Sequence, residues 1–181
     1  MSMVCPSWLA FILYNPVRKS LTDRVKIINE SGITNDSVVL EVGAGNGFIT
    51  EALAGNARKV YAVELQAGMK KLERRISQFG NKVSIIRGDI ASVSMGEAFA
   101  DVCLLYYSFH EFGDQGKAAD AISRAVRSGG IVSIYEPALE VGKLSMQKTV
   151  SVFEQRGFVK TKERNGFFTR FASLRKMTVS L

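Results

Sequence analysis

The segment Glu41-Val42-Gly43-Ala44-Gly45-Asn46-Gly47 sets an acidic residue two positions ahead of three alternating glycines. Such glycines let the chain turn tightly and admit a ligand against the bare main chain, where a Cβ would obstruct it. Glu64 follows Gly43 by 21 residues, with Leu65 beside it, and an acid there can accept hydrogen bonds from both hydroxyls of a ribose. Asp89 can accept from the exocyclic amine of a base, and Ile90 offers the ring an apolar face. The three segments describe a pocket for an adenosine-like nucleoside.

The glycine spacing separates the possible nucleotides. A dinucleotide fingerprint, G-x-G-x-x-G/A, requires a small residue where this chain has Phe48, and the Lys-Ser/Thr pair of a phosphate-binding P-loop is missing. Glu41 would repel a pyrophosphate and suits the ammonium of an amino acid, so the expected ligand has a positive end. His110, the only histidine, can titrate near neutrality and is the candidate general base. Its plain alternative is a capping or packing role in the turn. Tyr106 and Tyr107 are candidate walls beside it. Cys5 and Cys103 lie far apart with no C-x-x-C, so neither a disulfide framework nor a metal site is expected.

These residues need a scaffold that brings strand ends together, and the hydrophobic periodicity supplies one. Strand-like and helix-like blocks alternate through the chain, the signature of an α/β fold. Short strands are predicted at 38–42, 59–63, 83–86, 101–105 and 131–135. Helices are predicted at 8–13, 17–30, from about 48, from 69 to Gly80, at 115–126 and at 143–156. Ser128-Gly129-Gly130 reads as the turn into the fifth strand, and Arg164-Asn165-Gly166 as a hairpin turn between runs 158–163 and 167–174. Glu41, Glu64, Asp89 and His110 all fall at or just beyond strand ends, where open parallel sheets bind ligands.

The chain has 181 residues, 46% hydrophobic and 23% charged, which fits one globular domain and excludes a disordered or collagen-like chain. The apolar run Trp8–Tyr14 is too short to cross a membrane. No export signal is read at the start, and the cysteine usage fits a reducing cytoplasm. Of the net charge of +7, residues 156–181 carry seven Lys/Arg against one acid. That basic end either solvates a sheet edge or attracts an anionic partner.

The ordered segments resemble the class I S-adenosylmethionine-dependent methyltransferases. They are Val38–Gly47, Val60–Glu64, Gly88-Asp89-Ile90, Asp101–Tyr106 and Arg127–Tyr135. The resemblance implies a Rossmann-like, doubly wound seven-stranded sheet, mostly parallel with an antiparallel last strand and helices on both faces. It implies S-adenosyl-L-methionine as cofactor and S-adenosyl-L-homocysteine as product. Glu41 with Gly43, Ala44, Gly45, Asn46 and Gly47 would hold the methionine part, Glu64 with Leu65 the ribose, and Asp89 with Ile90 the adenine. Tyr106 would wall the cofactor or act beside His110 in catalysis.

Two subgroups look similar. Leu40–Leu53 and Ala62-Val63-Glu64 are similar to ribosomal RNA adenine dimethyltransferases, but the proline-containing tetrapeptide those enzymes place after the fourth strand is replaced here by Leu105–Glu111. Ser108–Glu111 and Gly129–Pro137 look more like the small-molecule methyltransferases related to ubiquinone and menaquinone biosynthesis, although residues 138–157 leave no room for a substrate-covering insertion. A small-molecule acceptor is therefore expected. A protein or RNA acceptor reached through the basic C-terminal hairpin, and a non-catalytic cofactor-binding partner subunit, are the alternatives. Residues 1–35 are expected to form a helical lid segment on a 36–181 core, with Tyr14 and Arg18 near the methionine carboxylate. Unchanged cofactor affinity after removal of residues 1–15 would exclude the lid.

Overall fold

The computed structural model describes residues 22–65 and 69–178. A seven-stranded sheet organises the chain, with strand order β3-β2-β1-β4-β5-β7-β6. The strands are β1 (Val38–Val42), β2 (Lys59–Glu64), β3 (Val83–Arg87), β4 (Ala100–Tyr106), β5 (Val126–Pro137), β6 (Phe158–Asn165) and β7 (Thr169–Lys176). β1 to β5 pair in parallel, while β7 runs antiparallel to both β5 and β6. Chain order reverses direction across the sheet between β1 and β4, the switch point at which such sheets open a crevice.

Period-two alternation gives the central strands two apolar faces. Leu40, Val42, Cys103, Leu105, Val132 and Ile134 pack on one side, against α4 (Gln115–Ala125) and α5 (Lys143–Glu154). Val39, Val60, Ala62, Val102 and Leu104 pack on the other, against α1 (Arg24–Glu30), α2 (Phe48–Asn56) and α3 (Met69–Ile76). The helices thus cover both faces of the doubly wound, Rossmann-like sheet expected from the sequence.

Several boundaries differ from the sequence expectation. The helix expected over 17–30 starts, in its described part, only at Arg24. Asp23 is extended, and its carboxylate accepts from the Lys26 amide, which caps the helix there. Ile27 and Ile28 bury this helix on the sheet, and Ser31 shares a buried 2.7 Å hydrogen bond with Ser133. Within the described part of the expected lid segment, Ile27, Ile28, Ser31 and Ile33 are buried, while Val25 is 68% exposed. The helix expected to reach Gly80 gives way after Ile76 to a 3-10 stretch, Ser77–Lys82.

Ser128-Gly129-Gly130 is not a turn before β5 but part of it. Ala100 pairs with Val126, and the register then shifts before Val102 meets Ile131. Gly130 fits this bulge because an added Cβ would lie 3.0 Å from the Asp101 carbonyl oxygen. The hairpin also turns later than expected. β6 continues to Asn165, and Gly166–Phe168 form the loop. Phe167 and Phe168, read as strand residues because they are apolar, are 85% and 74% exposed at its tip.

The basic C-terminus is largely bound to the chain itself. Arg156 reaches Asp120 at 2.7 Å, Arg164 pairs with Glu30, and Lys160 with Glu163 at 2.5 Å. Arg170 donates to the Val141 carbonyl at 2.6 Å and Arg175 to that of Gly129 at 2.9 Å. Lys176 donates to the carbonyls of Ser123 and Val126 at 2.6 and 2.8 Å. Among the described residues no helix is long and apolar enough to cross a membrane.

Candidate active site

A cavity of about 440 Å³ opens beyond the carboxyl ends of the parallel strands. One wall is the loop between β1 and α2. Gly43 and Ala44 donate to the Val63 carbonyl, at 2.9 and 3.2 Å, which fastens the loop over β2. Gly43 has φ +79°, and a Cβ on it would fall 2.5 Å from Ser108 Cβ, so the loop can lie against the end of β4 only with glycine there. Ser108 closes the contact by donating to the Val42 carbonyl at 2.8 Å. Asn46 Oδ1 accepts from the Phe48 amide at 3.1 Å, steadying the start of α2.

The three glycines do different things. Gly43 and Gly47 are required by protein neighbours, Ser108 and Leu72, and Gly47 does not line the cavity. It opens α2, where a Cβ would fall 2.9 Å from Leu72 Cδ1. Gly45 does line the cavity, with no atom within 4 Å of where a Cβ would stand. Its amide donates to Glu64 Oε2 at 2.6 Å.

Glu41 is 2% exposed on β1, lines the cavity, and has one oxygen, Oε2, without a hydrogen-bond partner. Burial pushes its carboxyl up to about 8; the neighbouring Thr50 hydroxyl, itself without a hydrogen bond, opposes the rise, and the charge of Glu64 adds to it. A buried carboxylate oxygen left open is costly unless a ligand answers it. Leu65, Asp89 and Ile90 also line the cavity. Ile90 is buried, whereas Asp89 is exposed and uses Oδ1 to accept from the Ala91 amide at 2.9 Å, which makes it a turn cap as well.

At the far end of β4, Tyr106 and Tyr107 stack with centroids 4.3 Å apart, and both line the cavity. Tyr107 takes φ +57°, a left-handed conformation uncommon for a bulky residue. It is held there by its amide on the Tyr135 carbonyl at 2.8 Å and its hydroxyl on Thr169. The Tyr106 hydroxyl lies 3.4 Å from Thr22 Oγ1, and Thr22 lines the cavity too. Tyr14 and Arg18, the other expected contacts, lie outside the described residues.

His110 is in the 3-10 turn Phe109–Glu111 and lines the same cavity. Nδ1 is 2.5 Å from Glu136 Oε2, and Nε2 is 3.2 Å from Glu140 Oε2. Burial opposes its charged form, but the Glu136 carboxylate, helped by Glu111 and Glu140, outweighs this and holds the imidazole above its ordinary value. Burial also raises Glu111; His110 opposes the rise, and repulsion from Glu140, Glu136 and Glu64 adds to it. Sequence reasoning missed Glu136 and Glu140. The available signal was that an acid stands at the end of β5, the strand beside β4. Among the described residues no group of three or more His, Cys, Asp or Glu side chains is arranged to hold a metal ion.

This arrangement, a glycine loop and acidic strand ends on a seven-stranded sheet with one antiparallel strand, is that of a methyltransferase fold. Residues 40–134 match the family described as methyltransferase domain, and the chain belongs to that family. An uncharacterized methyltransferase of Geobacillus sp. (strain WCH70) is 28% identical over 134 residues, covering 73% of this chain and 62% of that protein. A probable ribosomal RNA small subunit methyltransferase A of Methanococcus maripaludis is 41% identical over 70 residues, 39% of this chain and 26% of that one. The chain thus spans less than two thirds of the length of these relatives. The crystal structure of a SAM-dependent methyltransferase from Aquifex aeolicus superposes with a TM-score of 0.79 at 21% identity, covering 95% of this chain and 98% of that one.

Proposed function

We propose that this chain transfers the methyl group of S-adenosyl-L-methionine to a small-molecule acceptor. The observation that carries the reading is Glu41 Oε2, a buried and unpartnered carboxylate oxygen in a cavity walled by a glycine loop. That donor set fits the cofactor's ammonium. Glu41 would hold the ammonium, the open main chain at Gly45 the methionine part, Glu64 and Leu65 the ribose, and Asp89 and Ile90 the adenine. The bound cofactor supplies an electrophilic methyl on a positively charged sulfur. The chain's task is to orient the acceptor, exclude water and manage its proton. Tyr106 and Tyr107 wall that end, and His110 is the group there able to accept a proton.

A small acceptor is favoured because six of the seven basic side chains in 156–181 are engaged within the chain rather than offered to a large anion. The RNA alternative draws on the Methanococcus relative, whose match covers 39% of this chain. Calorimetry with S-adenosylmethionine, S-adenosylhomocysteine and NAD tests the cofactor, with binding expected for the first two alone. Incubation with methyl-tritiated cofactor and fractionated cell extract tests the acceptor. Label is expected in the small-molecule fraction. Label in RNA or protein would replace that reading, and binding without turnover in any fraction would leave a non-catalytic subunit.

A further inference from the structure

His110 touches carboxylates at both ring nitrogens, and the two contacts are unlike. Glu136, 1% exposed at the end of β5, accepts from the His110 main-chain amide through Oε1 at 3.2 Å and meets Nδ1 through Oε2 at 2.5 Å. A carboxylate gripping main chain and ring together fixes the ring's orientation and requires the hydrogen on Nδ1. The 3.2 Å contact of Nε2 with Glu140 Oε2 needs a second ring hydrogen, so it belongs to the imidazolium; the neutral ring has its lone pair on Nε2, and both His110 and Glu140 line the cavity.

The charged groups facing this ring are acidic. Glu111 stands on the same turn with Oε1 4.0 Å from Nε2, Glu136 comes from β5, Glu140 from the loop after it, and Glu64 from β2 adds to the potential at Glu111. Among the described residues no Lys or Arg lines the cavity. Glu41, with its buried open oxygen, belongs to the same enclosure, which is thus set up for positive charge at more than one point. Anionic acceptors would meet repulsion and cationic ones attraction.

We infer that Glu136 is a positioning residue that holds His110 as proton acceptor, and that the methyl acceptor is an amine arriving as an ammonium ion, received by Glu140 and Glu111. This rests on the methyl-transfer reading. The ammonium takes over Glu140, its charge favours the neutral ring, and the proton that Nε2 of the imidazolium shared with Glu140 passes to solvent. One N–H bond of the ammonium breaks and its proton joins Nε2, giving an imidazolium that keeps Nδ1–H on Glu136. The freed nitrogen pair forms the N–CH₃ bond as the S–CH₃ bond breaks, and that bond's electron pair stays on sulfur. The products are a methylammonium, a neutral thioether and a protonated His110, so charge is conserved.

The chain's single histidine makes the test direct, because one imidazole C2–H proton resonance reports the site. Protein saturated with S-adenosylhomocysteine is titrated with benzylammonium chloride and, separately, with sodium benzoate. Benzylammonium is expected to move the resonance saturably and benzoate to leave it in place. Glu140→Gln should weaken the benzylammonium effect about tenfold. Glu136→Gln should lower the pH at which the resonance titrates. A preference for benzoate, no saturable shift with benzylammonium, or an unchanged titration in Glu136→Gln would overturn the inference. Should Glu136→Gln not fold, the Glu140→Gln comparison decides. Failure of S-adenosylhomocysteine to bind would overturn the methyl-transfer reading and this inference together, whereas its binding with benzoate preferred overturns this inference alone.

Discussion

The amide of Gly45 donates to Glu64 Oε2 at 2.6 Å, tying the glycine loop to the end of β2. One carboxylate oxygen thus orders the loop, and on the proposed reading the other meets the cofactor's ribose hydroxyls. Hydrogen bonds to charged groups contribute about 1.5–3 kcal/mol each. Glu64→Ala should therefore weaken S-adenosylhomocysteine binding by about 10- to 100-fold in calorimetry. A loss of less than about threefold would mean that Glu64 serves the loop alone.

On the proposed reading, Glu41 should link cofactor binding to pH. Its carboxyl is raised to about 8 by burial, above its unfolded value, so the folded state holds the proton more tightly than the unfolded chain. Stability is greatest while both states are protonated and declines as pH rises from about 4.5 towards 8. Glu41→Gln should flatten the fall in urea midpoint over that window. A ligand ammonium would bring the pKa down, so binding near pH 7 should release a proton. The binding enthalpy of S-adenosylmethionine should then vary with the ionisation enthalpy of the buffer in the wild type and not in Glu41→Gln. No buffer dependence in the wild type would exclude this coupling.

Gly43 and Gly45 separate folding from binding within one loop. Gly43→Ala meets both a positive φ and Ser108 Cβ at 2.5 Å, so a loss of about 2–4 kcal/mol is expected in denaturant unfolding. Gly45→Ala meets only its φ of +55° and open space, with a cost of about 1–2 kcal/mol. The order should invert for ligand affinity, measured on whatever fraction folds. Gly45→Ala places a methyl in the cavity and should lose more.

The sequence made the strand ends legible because the central strands are short, nearly continuous apolar runs with acids at their ends: Glu64 closes β2, and Asp89 follows β3. It did not expose the internal work of the glycines. Gly47 meets Leu72, a neighbour 25 residues away, and only the packing of α3 on α2 reveals this. Glu136 escaped notice because its partner is set by sheet register. Tyr106 pairs with Tyr135, which carries the turn holding His110 back over the next residue of β5. The β5 start and the hairpin tip were misplaced for a local reason. Glycine pairs and apolar residues carry the same local signals in a bulge or exposed loop as in a turn or strand.

Lys176 tests what the basic C-terminus is for. Its ammonium donates to the carbonyls of Ser123 and Val126, closing the end of α4 where the chain enters β5. Helix carbonyls near a C-terminus lack intrahelical partners, and a cation there is favourable. Lys176→Ala should therefore cost about 1–2 kcal/mol in urea unfolding. If the basic residues chiefly serve the fold, the same variant should leave retention on heparin and its salt dependence unchanged. A polyanion surface built on them would instead lose affinity and show a shallower salt slope. A marked loss of heparin retention without a stability change would move the acceptor away from small molecules, since the hairpin charge would then be available to a large anion.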